Sequence, residues 1–333
     1  MERGIPVEKK FDNDFNFSSA SKMGDFSEDR EAWLANRAKG LGGSDCGSIM
    51  GFNPYSSPFD VWCLKKGLKE GFKGNAATAA GNVAEPLIRK LFPYMIEDAE
   101  GIKLDVFEPK FTFQSIANPF MVANVDGLVH SETLGSGVLE IKTANLNQSK
   151  KWENNQIPMS YWCQIQHYMS VLDLDFAYIV CMLGNKIIWR YVVRDREFEA
   201  KMIESEREFA ESLKLDKYPK ELAGYGDEGA SLLAVYKKNE GEVEDETFAP
   251  LFEQLETIKE GIEALEEEKE ALANRIKERI GDKKILHAGP WKATWSKFQV
   301  KRIDADKLRT EAPDIAEKYT KVSESSTMRT SKE

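Results

Sequence analysis

The sequence predicts a mixed α/β (α+β) fold: a mixed central sheet flanked by helices, followed by a helical/β extension. Three observations carry this. Hydrophobic spacing switches between helical and strand periods in the order helices, meander, helix, hairpin, helix. Residues 101–143 hold three or more short runs of strand character. The last third then changes: Leu251, Leu255, Ile258, Ile262, Leu265, Leu272 and Ile276 follow a heptad seam that Lys269 interrupts.

Each element has a local cause. Residues 1–25 are polar with isolated Phe residues, and are expected to form a flexible N-terminal segment. In "SEDREAWLANRAKG", Ser27 can cap a helix, acids fill its first turn and Gly40 ends it. A glycine-rich turn and short helix follow in "GLGGSDCGSIMG", then a loop with Asn-Pro and Ser-Pro and a helix around Asp60–Lys66. "AATAAGNVAEPLIRKLFPYM" reads as a helix. "FMVANVDGLV" reads as one strand, "SETLGSG" as a turn and "VLEIKT" as a second strand. "MSYWCQIQHYMSVLDL" is an apolar helix. "FAYIVCMLGNKIIWRYVVR" is a hairpin turning at Gly184-Asn185, and "DREFEAKMIESEREFAESL" an amphipathic helix. Beyond the seam come a hairpin at Gly289-Pro290, a helix in "ADKLRTEAPDIAEKYTKV" and a final strand in "STMRTSK". The main domain is placed at 26–225 and the extension at 240–333, with the boundary in the polar stretch 225–245.

Bulk composition narrows the function. The chain has 333 residues, 41% hydrophobic and 31% charged, enough for a full core without staples. No apolar run reaches membrane-spanning length and no secretory segment opens the chain, so a cytoplasmic protein is expected. Cys46, Cys63, Cys163 and Cys181 show neither CxxC nor zinc spacing and read as reduced core thiols. Walker, Rossmann and GxSxG motifs are absent, which removes sequence support for nucleotide hydrolysis and triad chemistry. A net charge of −10 argues against a uniformly basic nucleic-acid surface, but a basic groove can coexist with it.

The most informative residues are Asp126, Glu140 and Lys142, in "MVANVDGLV" and "GVLEIKTAN". Glu140 and Lys142 are two apart in a strand, so both emerge on one face with Val138, while Leu139 and Ile141 point the other way. A tight turn brings Asp126 near Glu140. Two carboxylates and an ammonium so placed can hold Mg²⁺, an oxygen-seeking ion, and direct a water at a phosphodiester. The same three charges could instead decorate a solvated hairpin. Glu85 is a candidate third acid or an exposed helix glutamate. Gly42-Gly43-Ser44-Asp45 offers N–H groups to an anion, with Arg37 upstream, but is also an ordinary turn and N-cap. Tyr161, Gln164 and Tyr168 share a helix face that can serve the centre or only pack. His167 is not expected to bind metal.

Taken in order, Arg37, Gly42-Gly43-Ser44-Asp45, Glu85, Asp126-Gly127, Glu140-Ile141-Lys142 and Tyr161-x-x-Gln164 resemble the YqaJ-type phage recombination exonucleases. These are relatives of lambda exonuclease in the PD-(D/E)xK superfamily, and the resemblance spans about residues 26–215. It implies that Asp126, Glu140 and the Ile141 carbonyl hold Mg²⁺ (or Mn²⁺), with Glu85 supporting directly or through water. It implies that Lys142 positions the attacking water, that Gln164 orients the centre, and that Arg37 and Ser44, with Tyr161 nearby, meet the 5′ phosphate and DNA. It further implies 5′→3′ digestion of linear double-stranded DNA to 3′ overhangs, a single-strand annealing protein as partner, a ring-shaped homotrimer and a phage or prophage origin in a bacterial cell. The superfamily proline is absent, since "NVD" stands in its place. The extension lies outside the resemblance; its seam is expected to pack within the chain, form an oligomer contact or meet the annealing protein. Alternatives are a PD-(D/E)xK endonuclease, which would cut a closed circle, or a non-catalytic DNA-binding scaffold, which would bind without turnover.

Overall fold

The computed structural model describes residues 10–12, 14–25, 40–216, 241–301, 303–321 and 330. Residues 27–39 of the helix expected at 27–40, with Arg37, residues 225–240 of the boundary stretch 225–245, and the final strand apart from Thr330 lie outside the described residues. The chain divides into two compact units, Met1–Lys237 and Lys238–Glu333.

The first unit is built on a five-stranded sheet ordered β3-β6-β7-β8-β9, with β3 at Asp105–Phe107, β6 at Gly127–Ser131, β7 at Gly135–Ala144, β8 at Phe176–Leu183 and β9 at Lys186–Val193. Only β7 and β8 pair in parallel; the other neighbours are antiparallel. The crossover from β7 to β8 carries a 3-10 segment, Leu146–Asn155, and helix α4, Met159–Leu172. β8 and β9 turn at Gly184, whose φ of 64° suits glycine. A smaller sheet ordered β1-β4-β5-β2 joins Ala20–Asp25, Phe111–Ser115, Met121–Ala123 and Leu41–Gly42. Among the described residues the unit has three further helices, α1 at Gly43–Ile49, α2 at Pro58–Lys65 and α3 at Ala76–Glu100, and then α5 at Arg196–Ser212.

β7 is buried on both faces. Leu139 and Ile141 join Ile88, Phe92 and Ile96 of α3, whose four-residue spacing makes one helical stripe. Val138 faces the other cluster, with Cys163, Ile165 and Met169 of α4 and Phe113 of the small sheet. α3 runs through Pro86 and Pro93, each of which removes a backbone N–H. Asn75 caps its start, its Oδ1 accepting from Thr78 N–H at 3.1 Å, and the buried stripe holds the helix through both prolines.

Two expectations are corrected. The described part of the N-terminal segment is anchored: Phe11 and Phe17 are buried, Phe11 meets Phe107 edge-on at 5.5 Å, and β1 pairs with β4. The isolated aromatics are core residues, which outweighs the polar composition around them. "FMVANVDGLV" is not one strand: the chain leaves the small sheet after Ala123 and enters the large one at Gly127. Asn124 and Asp126, in the crossing, both line a cleft.

The second unit has a 32-residue helix α6, Ala249–Ile280, a hairpin of β10 (Ile285–Ala288) and β11 (Trp291–Thr294), and two short helices, α7 (Ala305–Glu311) and α8 (Pro313–Tyr319). The single helix expected at 305–322 breaks at Pro313, whose ring disfavours a helical residue before it. Among the described residues of this unit Ile280 is the one buried hydrophobic side chain. Within the described residues of this unit the heptad seam lies exposed.

Candidate active site

The register of the large sheet assembles the site. Gly127 pairs with Leu139, so Asp126 arrives beside Glu140. The Ile141 N–H donates to Asp126 Oδ2 at 2.7 Å, which fixes that carboxylate against β7. Glu140 is 1% exposed. Its Oε1 accepts from Lys142 Nζ at 2.6 Å and from Gln164 Nε2 at 2.7 Å. Its Oε2 is buried with no hydrogen-bond partner.

Gln164 is locked by its neighbours. Its Oε1 accepts from Lys142 Nζ at 3.0 Å, and its amide nitrogen also reaches the Tyr168 hydroxyl at 3.0 Å. The Lys142 ammonium lies 4.9 Å from the centre of the Tyr161 ring. The helix face of Tyr161, Gln164 and Tyr168 thus surrounds the lysine and one carboxylate oxygen.

From the other side, α3 brings Glu85 and Arg89. Arg89 pairs with Glu85 and with Glu108 at 2.8 Å, and its Nε donates to the Asp126 carbonyl at 2.7 Å. Composition and motif reading passed over Arg89 and Glu108; the four-residue step from Glu85 was the available signal for Arg89. A cleft of about 590 Å³ is lined by Ser44, Glu85, Asp126, Glu140, Ile141, Lys142 and Gln164 among others. Of the expected residues, Tyr161 sits behind Lys142 rather than on the lining, and Arg37 lies outside the described residues. Ser44 reaches the cleft because α1 packs tightly on α4: a Cβ at Gly43 would come within 2.6 Å of the Tyr168 ring. Asp45 turns away from this role, accepting from the Gly42 N–H at 2.9 Å and pairing with Lys65 at 2.8 Å.

The electrostatics show an excess of negative charge. Burial, then repulsion from Asp126, pushes the Glu140 carboxyl up to about 8, against the pull of Lys142. The same two causes raise Glu85 to about 7. Burial works against the charged Lys142, but Glu140 and Asp126 outweigh it and raise its pKa. Four acids, Glu85, Glu108, Asp126 and Glu140, thus crowd one lysine and one arginine, and Glu85 and Glu140 are both pushed towards their protonated forms. A divalent cation would relieve both the repulsion and the orphaned Glu140 oxygen, so the donor set fits an oxygen-liganded metal.

A second acid-containing group, Cys46, His167 and Glu206, is fully buried, with potential ligand atoms within 4.8 Å. Its geometry is that of an ion pair. His167 Nε2 faces the Val122 carbonyl at 3.0 Å, and a carbonyl can only accept. Its Nδ1 faces Glu206 at 2.8 Å. Burial opposes the imidazolium, but Glu206 overrides it and the pKa is raised. Both ring nitrogens are engaged, and the pair ties α4 and α5 to β5.

Fold and site together define the class: a mixed α/β core whose cleft gathers an acid–lysine cluster suited to an oxygen-liganded divalent ion. The YqaJ-like viral recombinase domain matches residues 32–175. The chain is 32% identical over 304 residues, 88% of its length and 91% of the other's, to an uncharacterized protein YqaJ of Bacillus subtilis (strain 168). It belongs to the YqaJ-like viral recombinase family. Among solved structures it is similar to an alkaline exonuclease from Laribacter hongkongensis, at 18% identity and a TM-score of 0.44 over 55% of this chain and 92% of that one. It is also similar to a phage-related exonuclease from Haemophilus somnus 129PT, at 18% identity and a TM-score of 0.36 over 52% and 92%. No described helix is long and apolar enough to cross a membrane.

Proposed function

We propose that this chain is a Mg²⁺-dependent exonuclease that degrades linear double-stranded DNA from its 5′ ends, leaving 3′ single strands for recombination by annealing. The observation that carries the reading is the buried, unpartnered Glu140 Oε2 in a cleft shared with Asp126, Glu85 and Lys142. Asp126, Glu140 and the Ile141 carbonyl would hold the ion, with Glu85 alongside or through water. When bound, Mg²⁺ supplies a water of lowered pKa and neutralises charge building on the phosphate, and Mn²⁺ suits the same ligands.

The chain's own groups do the rest. Lys142, held by Glu140, Gln164 and the Tyr161 ring, orients the attacking water. Gln164 keeps that ammonium and Glu140 in register. Ser44, at the start of α1, offers its hydroxyl to a terminal phosphate, with Arg37 as the second clamp. Contacts to phosphate alone suffice for hydrolysis, so little base readout is expected. The annealing partner and the ring-shaped homotrimer implied by the resemblance belong to this reading.

The test is digestion of linear duplex DNA labelled separately at its 5′ and 3′ ends, with Mg²⁺, beside a closed circle. Early release of the 5′ label with the circle intact is expected. A nicked or linearised circle would replace the reading with an endonuclease. Binding without turnover in Mg²⁺ and Mn²⁺ would replace it with a scaffold.

A further inference from the structure

The seam of α6 carries a run of exposed apolar side chains. Leu265 is 66% exposed, and Ile258, Ile262 and Leu272 are exposed beside it. A 32-residue helix extends about 48 Å. An exposed apolar stripe of this length on one helix marks an interaction surface. We infer that the seam is an interface for a second copy of this chain, two α6 helices pairing antiparallel about a two-fold axis. The inference does not depend on the nuclease reading: two-fold pairing of α6 would join two of that reading's homotrimeric rings as readily as two single chains, and in either case its loss halves the mass.

The seam is self-complementary about its own midpoint, between Glu263 and Ala264. In that register Ile262 faces Leu265 of the other copy, Leu255 faces Leu272, and Leu251 faces Ile276. Each layer matches one seam residue with another. Lys269 falls opposite Ile258, where its long stem can lie on the apolar layer and its ammonium reach water.

The flanking charges choose the direction. Antiparallel pairing places Lys259 beside Glu266 of the other copy, twice by symmetry, and Phe252 over Ala273. It also sets the end carrying Arg275, Lys277 and Arg279 along the end carrying Glu253 and Glu256. A parallel, in-register pair would stack Lys269 on its own copy and align the acidic halves. None of its flanking pairs, such as Gln254 with Lys259 or Glu268 with Ala273, joins opposite charges. The helix macrodipoles also favour the antiparallel arrangement.

The test uses the full chain. Light scattering of the wild type and of Ile262→Glu/Leu265→Glu should show the mass falling by half in the variant, with far-UV circular dichroism unchanged. An unaltered mass would overturn the proposal. A second measurement covers a variant that fails to fold: oxidative cross-linking of Ile258→Cys alone, Lys269→Cys alone and their equal mixture. The four native cysteines are buried and silent. A dimer band confined to the mixture is expected. Cross-linking of either variant alone would overturn the antiparallel direction, and no band in any sample would overturn the interface.

Discussion

The two compact units follow the same hydrophobic patterning with different outcomes. In the first, β7 is covered on both faces and even the isolated N-terminal Phe residues find a core. In the second, a regular seam of Leu and Ile stays in water and Ile280 alone is buried among the described residues. A pattern states which residues need burial, but not where burial is found. Where several elements converge, as at β7, the core closes around its own strands and can hold charged groups at fixed distances. Among the described residues no set of elements converges on the seam of the long helix α6, and its apolar stripe stays exposed. Chemistry belongs to the first kind of region, because only there can a carboxylate oxygen be held out of water.

The comparison can be sharpened experimentally, beginning with the largest effect. Lys142→Ala should reduce DNA turnover by about 100-fold or more while leaving DNA binding largely intact. Unchanged turnover would remove the lysine from the chemistry. Next in size is the packing contrast. Phe92→Ala in the buried stripe should cost about 3–5 kcal/mol by denaturant titration. Leu272→Ala on the seam, measured at dilution where copies separate, should cost under about 1 kcal/mol. Equal losses would mean that the seam is covered within the chain.

A third prediction concerns pH. The raised carboxyls of Glu85 and Glu140 mean that the folded form holds protons which the unfolded chain releases above about 4.5. Metal-free stability contributed by these groups is therefore lost as pH rises from about 4.5 towards 8. Divalent-ion affinity should rise over the same window, by up to about tenfold per pH unit for each proton displaced. Isothermal titration calorimetry across that range checks this, and Glu140→Gln should flatten the dependence. A wild-type affinity independent of pH would refute the protonated cluster. The smallest effect expected is that of Thr310→Ala, on the exposed helix α7, which should change the unfolding free energy from denaturant titration by no more than about 0.5 kcal/mol.

Much of the site was legible before the fold. Glu140 and Lys142 share a strand face by simple alternation, and Tyr161, Gln164 and Tyr168 share a helix face by their three- and four-residue steps. Arg89 was less visible, because an arginine on a helix is ordinary until its partners are known. The break of "FMVANVDGLV" into strands of two sheets was hidden for a similar reason. Alternation within a run does not reveal that its halves pair with different neighbours.

The sequence by itself determined the element order, the acid–lysine series and the heptad seam, since these rest on local spacing and residue chemistry. Only the tertiary structure decided that Asp126 is pinned by the Ile141 N–H and that one Glu140 oxygen is left unpartnered in the cleft. It also decided that His167 serves an ion pair and that the seam lies bare. Those outcomes depend on which surfaces exclude water from which, a property of the packed chain that local spacing does not encode.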